Sequence, residues 1–257
     1  MEVRLIEKDY PGNPHMNLAM DEAIFREVEQ GRSPPTLRFY RNRNAAILGC
    51  FQLADEELDL EYAKSNRIKI AKRFTGGGAV YHDMGNLNYS VISRDNYGIG
   101  LNVERLFSVM MKGATSSLRL ANIPNLASGM NDITSGGRKI MGAAATISKG
   151  TVLFHAALLV ETKLETLASV LKVPGIKLRD KGVSTILERV ANIREICGAD
   201  VDHVRRSIQD GYSLELGFDY KGGELTEGER LAMGKLYKEK YSKRDWNMGR
   251  EFIEVSV

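Results

Sequence analysis

The chain has 257 residues, 43% hydrophobic and 27% charged, with a formal net charge of +3. That composition is typical of a soluble globular protein, and the length suits one large domain or one domain with a small appendage. So mild a charge argues against obligate nucleic-acid binding, which needs a clustered basic face, and no apolar run approaches the roughly 20 residues that span a bilayer. Cys50 and Cys197 are the two cysteines, too few for a disulfide framework or a zinc site. Met1 to Glu7 carry charges where a signal peptide needs an apolar core. A cytoplasmic protein with no nucleic-acid or membrane partner is expected.

Val3 to Glu7 reads as a first strand. Met16, Met20, Ala23, Ile24 and Val28 then recur at helical spacing, with Gly31 as the stop. Pro34 and Pro35 break the chain before Leu37 to Tyr40. Ala45 to Cys50 is a short apolar strand, Glu56 to Asn66 a helix, and Ile68 to Arg73 a strand that leads into a glycine-rich loop. Leu87 to Ile92 alternates as a half-buried strand does. Val103 to Leu120 places Val103, Phe107, Met110, Ala114 and Leu118 on one stripe of a long helix, and Asn122 to Gly137 is turn-rich. Strands Lys139 to Thr146 and Thr151 to Val160 flank a hairpin turn at Ser148-Lys149-Gly150. Shorter helices are expected at Leu164 to Leu171, Val201 to Asp210 and Glu227 to Tyr241. Strand pairs with short turns imply an α+β fold, a mixed, largely antiparallel sheet with packed helices. With no repeat or linker, residues 1–257 read as a single domain. Lys235 to Arg244, the densest basic stretch, is either a solvated helix face or a contact for an acidic partner.

The run Lys72-Arg73-Phe74-Thr75-Gly76-Gly77-Gly78-Ala79-Val80-Tyr81-His82-Asp83 carries the strongest functional signal. Three glycines together give up backbone entropy, which a fold tolerates where side chains would obstruct a ligand. Backbone N–H groups beside Lys72 and Arg73 suit an anion. The run lacks the Gly-Lys-Ser/Thr of a phosphate-binding Walker loop and the spaced glycines of a dinucleotide fingerprint. A plain hairpin connection remains open but explains three glycines poorly.

A second cluster is Asn131-Asp132 with Gly136 to Ala145. Lys139 opens a strand of small apolar residues, and Gly142 to Ala145 leave room for a ligand beside its ammonium. Burying that lysine requires an accompanying anion; an exposed lysine at a strand end is the alternative. Asp132 either holds Mg²⁺ against a phosphate or serves a structural turn. His82 and His155 lack a third metal ligand, and His155 reads as a core or pocket-lining residue. Cys50 has no neighbouring base to make it a nucleophile.

Taken in order, these pieces resemble the lipoate–protein ligases, within the larger family of biotin and lipoate protein ligases and octanoyltransferases. Asn17 to Ile24 is similar to the first-helix signature, and Arg73 to Asp83, continuing through Gly85 and Asn86, to the lipoate-binding loop. Asn131-Asp132 and Gly137 to Gly142 are similar to the central motifs, His155 to Leu159 to the following strand, and Val183 to Asn192 to the loop that closes over the adenylate. Trp246 to Gly249 is similar to the end of the catalytic domain. The resemblance implies a catalytic domain of that family's fold, ATP and lipoate as substrates with Mg²⁺, and a lipoyl-AMP intermediate. It implies Lys139 and Arg73 as catalytic residues, with Asn86 near adenine and Asp132 as metal ligand. The substrate-binding group it implies is Lys72, Thr75, Gly76, Gly77, Gly78, Ala79, Tyr81, His82, Asn86, Asn131, Asp132, Gly142, Ala143, His155, Ser184 and Thr185.

Two departures from the family pattern shape the expectation. Only eight residues follow Gly249, where larger single-chain ligases carry an accessory domain. The chain is therefore expected to be the large subunit of a two-part ligase with a separate small accessory subunit, acting on lipoyl domains of 2-oxoacid dehydrogenases and the glycine-cleavage carrier protein. The second departure is the tight link of six residues between Asp132 and Lys139. The nearest rival is an octanoyl- or lipoyl-transferase working through a cysteine thioester, but Leu126 to Asp132 contains no cysteine. A biotin ligase is disfavoured by the lack of arginine after Gly76 in the loop. A non-catalytic ligand-binding module leaves Lys139 without a purpose.

Overall fold

A computed structural model of the chain describes residues 1–95, 97–172 and 179–249, without the side chains of 179 and 180; the eight residues after Gly249 lie outside them. In chain order the described elements are β1 (Glu2–Ile6), α1 (Pro14–Glu29), β2 (Thr36–Tyr40), β3 (Asn44–Leu48), α2 (Ala54–Glu57), α3 (Leu60–Ser65), β4 (Lys69–Lys72), β5 (Val80–Asp83), β6 (Asn86–Arg94), α4 (Val103–Leu120), β7 (Leu126–Ser128), β8 (Asp132–Ser135), β9 (Arg138–Ser148), β10 (Thr151–Leu159), α5 (Leu164–Val170), α6 (Arg179–Arg189), α7 (Ile193–Cys197), α8 (Val201–Leu216), β11 (Asp219–Gly222), α9 (Glu227–Leu236) and α10 (Arg244–Met248). A π turn at Tyr237–Tyr241 links α9 toward α10.

Eight strands form one sheet in the order β11-β1-β2-β6-β10-β9-β8-β7, and β4-β3-β5 form a second. The pairs β11–β1 and β1–β2 are parallel, and from β2 onward the large sheet is antiparallel. The fold is α+β with mixed, largely antiparallel sheets.

Alternation in the strands separates two layers. Leu37, Phe39, Tyr89, Val91, Phe154 and Met141 face a core completed by α4 and α8. Ile92 and Leu153 face α1, β3 and the C-terminal helices. Between this second face and the small sheet the polar residues collect. Helix α1 starts at Pro14 with Asn13 as its cap, and it is buried almost all round because Asp21 and Glu22 find cations inside. Arg38 pairs with Asp21 at 2.5 Å, and Lys240 with Glu22 at 2.8 Å.

The structure corrects several expected elements. The helix expected over Glu56–Asn66 is broken, because Leu58 is extended and bridges Leu171 while Asp59 caps a new helix through Tyr62 N. The turn-rich stretch 122–137 contains β7 and β8, strands too short to show a period. Val183 to Asn192 is largely helical, not a loop: the Ser184 and Thr185 hydroxyls donate back to Lys181 O, a pattern internal to α6. Helix α8 runs six residues past Asp210, to Leu216. Lys240 in the basic stretch is not on a solvated face; the π turn lays its ammonium over the Trp246 ring at 4.1 Å.

Helices α4 and α8 approach closely because Gly211 has no side chain. A Cβ there would lie 2.1 Å from Ser117 Oγ and 2.4 Å from Ser117 N. We expect Gly211→Ala to destabilise the protein by about 1–3 kcal/mol through overpacking, read as a lower urea midpoint; an unchanged midpoint would show that the two helices separate at no cost.

Candidate active site

The glycine loop joins β4 to β5 across the gap between the sheets. Phe74 anchors one side against Phe25, with ring centroids 5.6 Å apart. Gly77 has φ +91° and needs glycine for that reason. Its carbonyl rests on the backbone of Gly49, where a Cβ would sit only 2.1 Å from Gly77 O. Gly49 is therefore part of the loop's geometry, a role its position at the end of an apolar strand does not announce.

Arg73 lies beneath this loop, fully buried. Its guanidinium donates to Gly76 O at 2.6 Å, Gly78 O at 2.9 Å and Thr75 Oγ1 at 3.1 Å. No carboxylate lies within ion-pair distance of it among the described residues. Burial lowers its pKa to about 10. The positive charge is thus satisfied by carbonyl dipoles and left uncompensated beside the gap. Thr75 Oγ1 also meets His155 Nε2 at 2.8 Å. His82 and His155 are both held to a pKa of about 3, first by burial and then by the Arg73 charge. Both imidazoles are neutral.

Lys139 reaches the same gap by a change of register. Thr134 pairs with Lys139 and Ile133 with Met141, so Ile140 is an extra residue in β9. Ile140 and Met141 both point into the α4–α8 core. That bulge turns Lys139 onto the face of Gly142, three residues along, which a regular strand would place on the opposite face. Asp132, paired with Gly142, shares this face. Lys139 Nζ stands 2.8 Å from Asp132 Oδ1, both half-buried. The contact is at ion-pair distance but off the hydrogen-bond direction, since Oδ1 has no hydrogen-bond partner among the described residues. A Cβ at Gly142 would lie 2.8 Å from Lys139 Nζ and Cε, so glycine there is what lets the lysine lie flat.

Two cavities meet at Lys139. The outer one, about 470 Å³, is lined by Tyr81, Asn86, Met141, Leu159, Glu57, Lys172, Ile186 and Arg189 among others. The inner one, about 100 Å³, is lined by Tyr40, Arg73, Gly78, His82, Asn88, Asn131, Ala143, Ala144 and His155 among others. Ala79, Val80, Lys139, Gly142 and Ala157 belong to both. Asn131 Nδ2 donates to Ala143 O at 2.9 Å, and Asn86 Oδ1 accepts from Asp83 N at 2.9 Å.

Seven of the sixteen residues expected in the substrate-binding group line neither cavity: Thr75, Gly76 and Gly77 shape the loop from behind, Asp132 stands beside Lys139, and Lys72, Ser184 and Thr185 are turned to other partners. Lys72 points away and donates to Gln52 O at 2.6 Å, while its backbone N–H donates to Asn247 Oδ1 and its carbonyl accepts from Trp246 Nε1. It ties the C-terminal Trp246-Asn247 pair to the strand before the loop. Ser184 and Thr185 are engaged within α6, and Ile186 and Arg189 of that helix line the outer cavity instead. A parallel bridge from Lys139 to Val190 holds α6 beside the lysine. Tyr40, Asn88, Glu57 and Lys172 carry no motif and were not legible as site residues. Among the described residues no three His, Cys, Asp or Glu side chains gather as a metal site, and no helix is long and apolar enough to cross a membrane.

Residues 13–212 match the lipoyl protein ligase A/B catalytic domain family. A lipoate-protein ligase A subunit 1 of Thermoplasma acidophilum is 42% identical, with 97% of each chain aligned. An octanoyltransferase LipM of Moorella thermoacetica is 31% identical over 91% of this chain and 93% of its own. Among solved structures, a bipartite lipoate protein ligase with its E2 lipoyl domain from T. acidophilum is similar at a TM-score of 0.93, with 42% identity and 99% of both chains covered. A lipoate-protein ligase A bound with ATP is similar at a TM-score of 0.87, with 40% identity over 97% of this chain and 99% of that one.

The two buried histidines make stability depend on pH. Their folded pKa of about 3 lies below the unfolded value of about 6.5. The unfolded chain takes up protons below about pH 6.5 that the folded chain does not. Stability is thus full above that pH and falls toward pH 3, at up to about 1.4 kcal/mol per pH unit for each histidine. Urea unfolding between about pH 7 and pH 5 should show this slope, reduced in His82→Gln; an identical slope in that variant would contradict the assignment.

Proposed function

Because the chain belongs to the lipoyl protein ligase A/B catalytic domain family, we propose that it is the catalytic subunit of a lipoate–protein ligase. It would activate lipoate with ATP as lipoyl-AMP and pass the lipoyl group to a lysine of a lipoyl domain. The observation that carries this reading is Lys139 on the shared wall of two cavities of unequal size. An acyl chain in the inner cavity and a nucleotide in the outer one meet where that ammonium stands.

In the first step a lipoate carboxylate oxygen bonds to the α-phosphorus and pyrophosphate leaves. In the second, a lysine amine attacks the acyl carbon and AMP leaves. Negative charge builds near the join in both, and one fixed cation there serves both. Arg73, buried beneath the glycine loop with no carboxylate partner among the described residues, adds positive potential. Gly78 and Ala79 present loop backbone to the acyl chain, and Asn86, Tyr81 and Arg189 line the nucleotide side. Asp132 supplies one carboxylate, with an oxygen that lacks a hydrogen-bond partner among the described residues, and Mg²⁺ is commonly held by one such group together with substrate phosphates. When bound it would neutralise phosphate charge.

The solved relatives named for bound ATP and for bound lipoic acid support these two substrates. The T. acidophilum relative named subunit 1, aligned over 97% of each chain, supports a single catalytic domain that works with a separate accessory subunit. The bipartite structure with an E2 lipoyl domain supports a 2-oxoacid dehydrogenase lipoyl domain as acceptor, and the glycine-cleavage carrier has the same acceptor chemistry. Against the transferase reading, Cys50 lines neither cavity, and burial pushes its thiol pKa up, which disfavours a thiolate.

An intact-mass assay on an apo-lipoyl domain, with the accessory subunit present, should show modification with lipoate and ATP–Mg²⁺. No gain is expected from octanoyl carrier protein without ATP; the reverse pattern identifies a transferase. Cys50→Ala should retain ligation, whereas Lys139→Ala should lose at least about a hundredfold, the scale of removing one electrostatic donor. The chain alone should form lipoyl-AMP slowly, and rapid turnover without added protein would remove the case for a second subunit.

A further inference from the structure

The inner cavity runs along one rung of the large sheet. Tyr40, Asn88, Ala157, Gly142 and Asp132 are consecutive cross-strand partners on β2, β6, β10, β9 and β8. Strands lie about 4.8 Å apart, so Asn88 is about 10 Å from Gly142, two strands away. Gly142 and Ala157 leave the middle of this trough open, and Lys139 stands at its outer end. The inner end is polar. Among the described residues, His82 Nε2 and Asn88 Oδ1 find no hydrogen-bond partner, and both are buried there.

The proton on His82 is placed by a chain of obligatory donors. The Arg38 guanidinium and the Tyr10 backbone N–H can only donate, and both donate to Asn17 Oδ1, at 2.7 and 3.0 Å. That orients the Asn17 amide, whose Nδ2 donates to Asn42 Oδ1 at 2.8 Å. Asn42 Nδ2 then faces His82 Nδ1 at 3.0 Å. An amide nitrogen only donates, so Nδ1 is the acceptor and the proton of the neutral ring sits on Nε2. Arg38, Asn17 and Asn42 are fully buried, and Asp21 anchors Arg38 while accepting from Ser90 Oγ at 2.7 Å.

We infer that Asn42, backed by Asn17 and Arg38, is a positioning residue that presents His82 Nε2–H to the far end of the acyl chain, favouring a sulfur-bearing end over a plain alkyl end. This rests on the ligase reading for the identity of the acyl substrate. A saturated alkyl end would leave this already buried donor unpaired, whereas a ring sulfur is a weak acceptor that can meet it. The relay therefore gives lipoate an advantage over octanoate that the carboxylate end cannot supply, because both acids present the same group to Lys139.

The test uses the full chain, with long-range ¹⁵N–¹H spectra of its histidines and calorimetric Kd values for lipoate and octanoate. Wild type should show His82 as the Nε2–H tautomer. In Asn42→Asp the carboxylate can only accept, so the proton should move to Nδ1. The lipoate-to-octanoate preference should then fall about fivefold, through weaker lipoate binding with octanoate little changed. His82→Phe, a close match in shape, should lose the same preference even where Asn42→Asp does not fold. An Nδ1–H tautomer in wild type, or an unchanged preference in His82→Phe, would overturn the inference. Wild-type protein that binds both acids but forms no adenylate would instead overturn the ligase reading, and the tautomer and Kd ratio still decide the relay.

Discussion

The bulge that Ile140 makes in β9 turns Lys139 onto the sheet face that carries Asp132, Gly142 and Ala157, and the rest of the site is arranged around that ammonium. Were these same residues in regular alternation, with no bulge, Lys139 would share a face with Met141 and Ala143 and point toward the α4–α8 core. Burying an unpaired ammonium there would be prohibitive. On the observed face it has half-buried Asp132 as a partner and a glycine beneath it.

The second requirement is a gap that stays open beside this cation. The large sheet contributes small residues along one rung, and the small sheet contributes the glycine loop. The loop's shape is held from below by Arg73, which binds the carbonyls of Gly76 and Gly78, and from the side by Gly49. Further out, Lys72 is clamped by Trp246 and Asn247, and Lys240 joins Trp246 to Glu22 on α1. The C-terminal helices therefore act on the site indirectly, by fixing the strand from which the glycine loop departs.

Much of this was legible in the sequence because backbone requirements leave residue signatures. Three adjacent glycines marked the loop, and a lone lysine opening a strand of glycine and alanine marked the cation. The α+β class followed from paired strands with short turns, and the long helices from their periodicity. What was not legible depended on register or on partners distant in sequence. The bulge is one unpaired isoleucine, indistinguishable from its neighbours until β8 is laid beside β9. Lys72 and Arg73 are adjacent basic residues, yet strand alternation sends one toward Gln52 and the other under the loop. Ser184 and Thr185 looked available as ligands until α6 formed and used their hydroxyls. Asn42 and Asn88 gain meaning only from Asn17 and from the trough between the sheets.

The account stands or falls on the cation at the join of the two cavities. A crystal structure with a non-hydrolysable lipoyl-adenylate analogue tests it most directly. Lys139 Nζ should leave Asp132 Oδ1 and lie within hydrogen-bond distance, about 2.7–3.2 Å, of oxygens on both the acyl group and the phosphate surrogate. The acyl chain should lie over Gly142 and Ala157. An analogue bound elsewhere, or bound with Lys139 still on Asp132 and out of reach of the join, would contradict it.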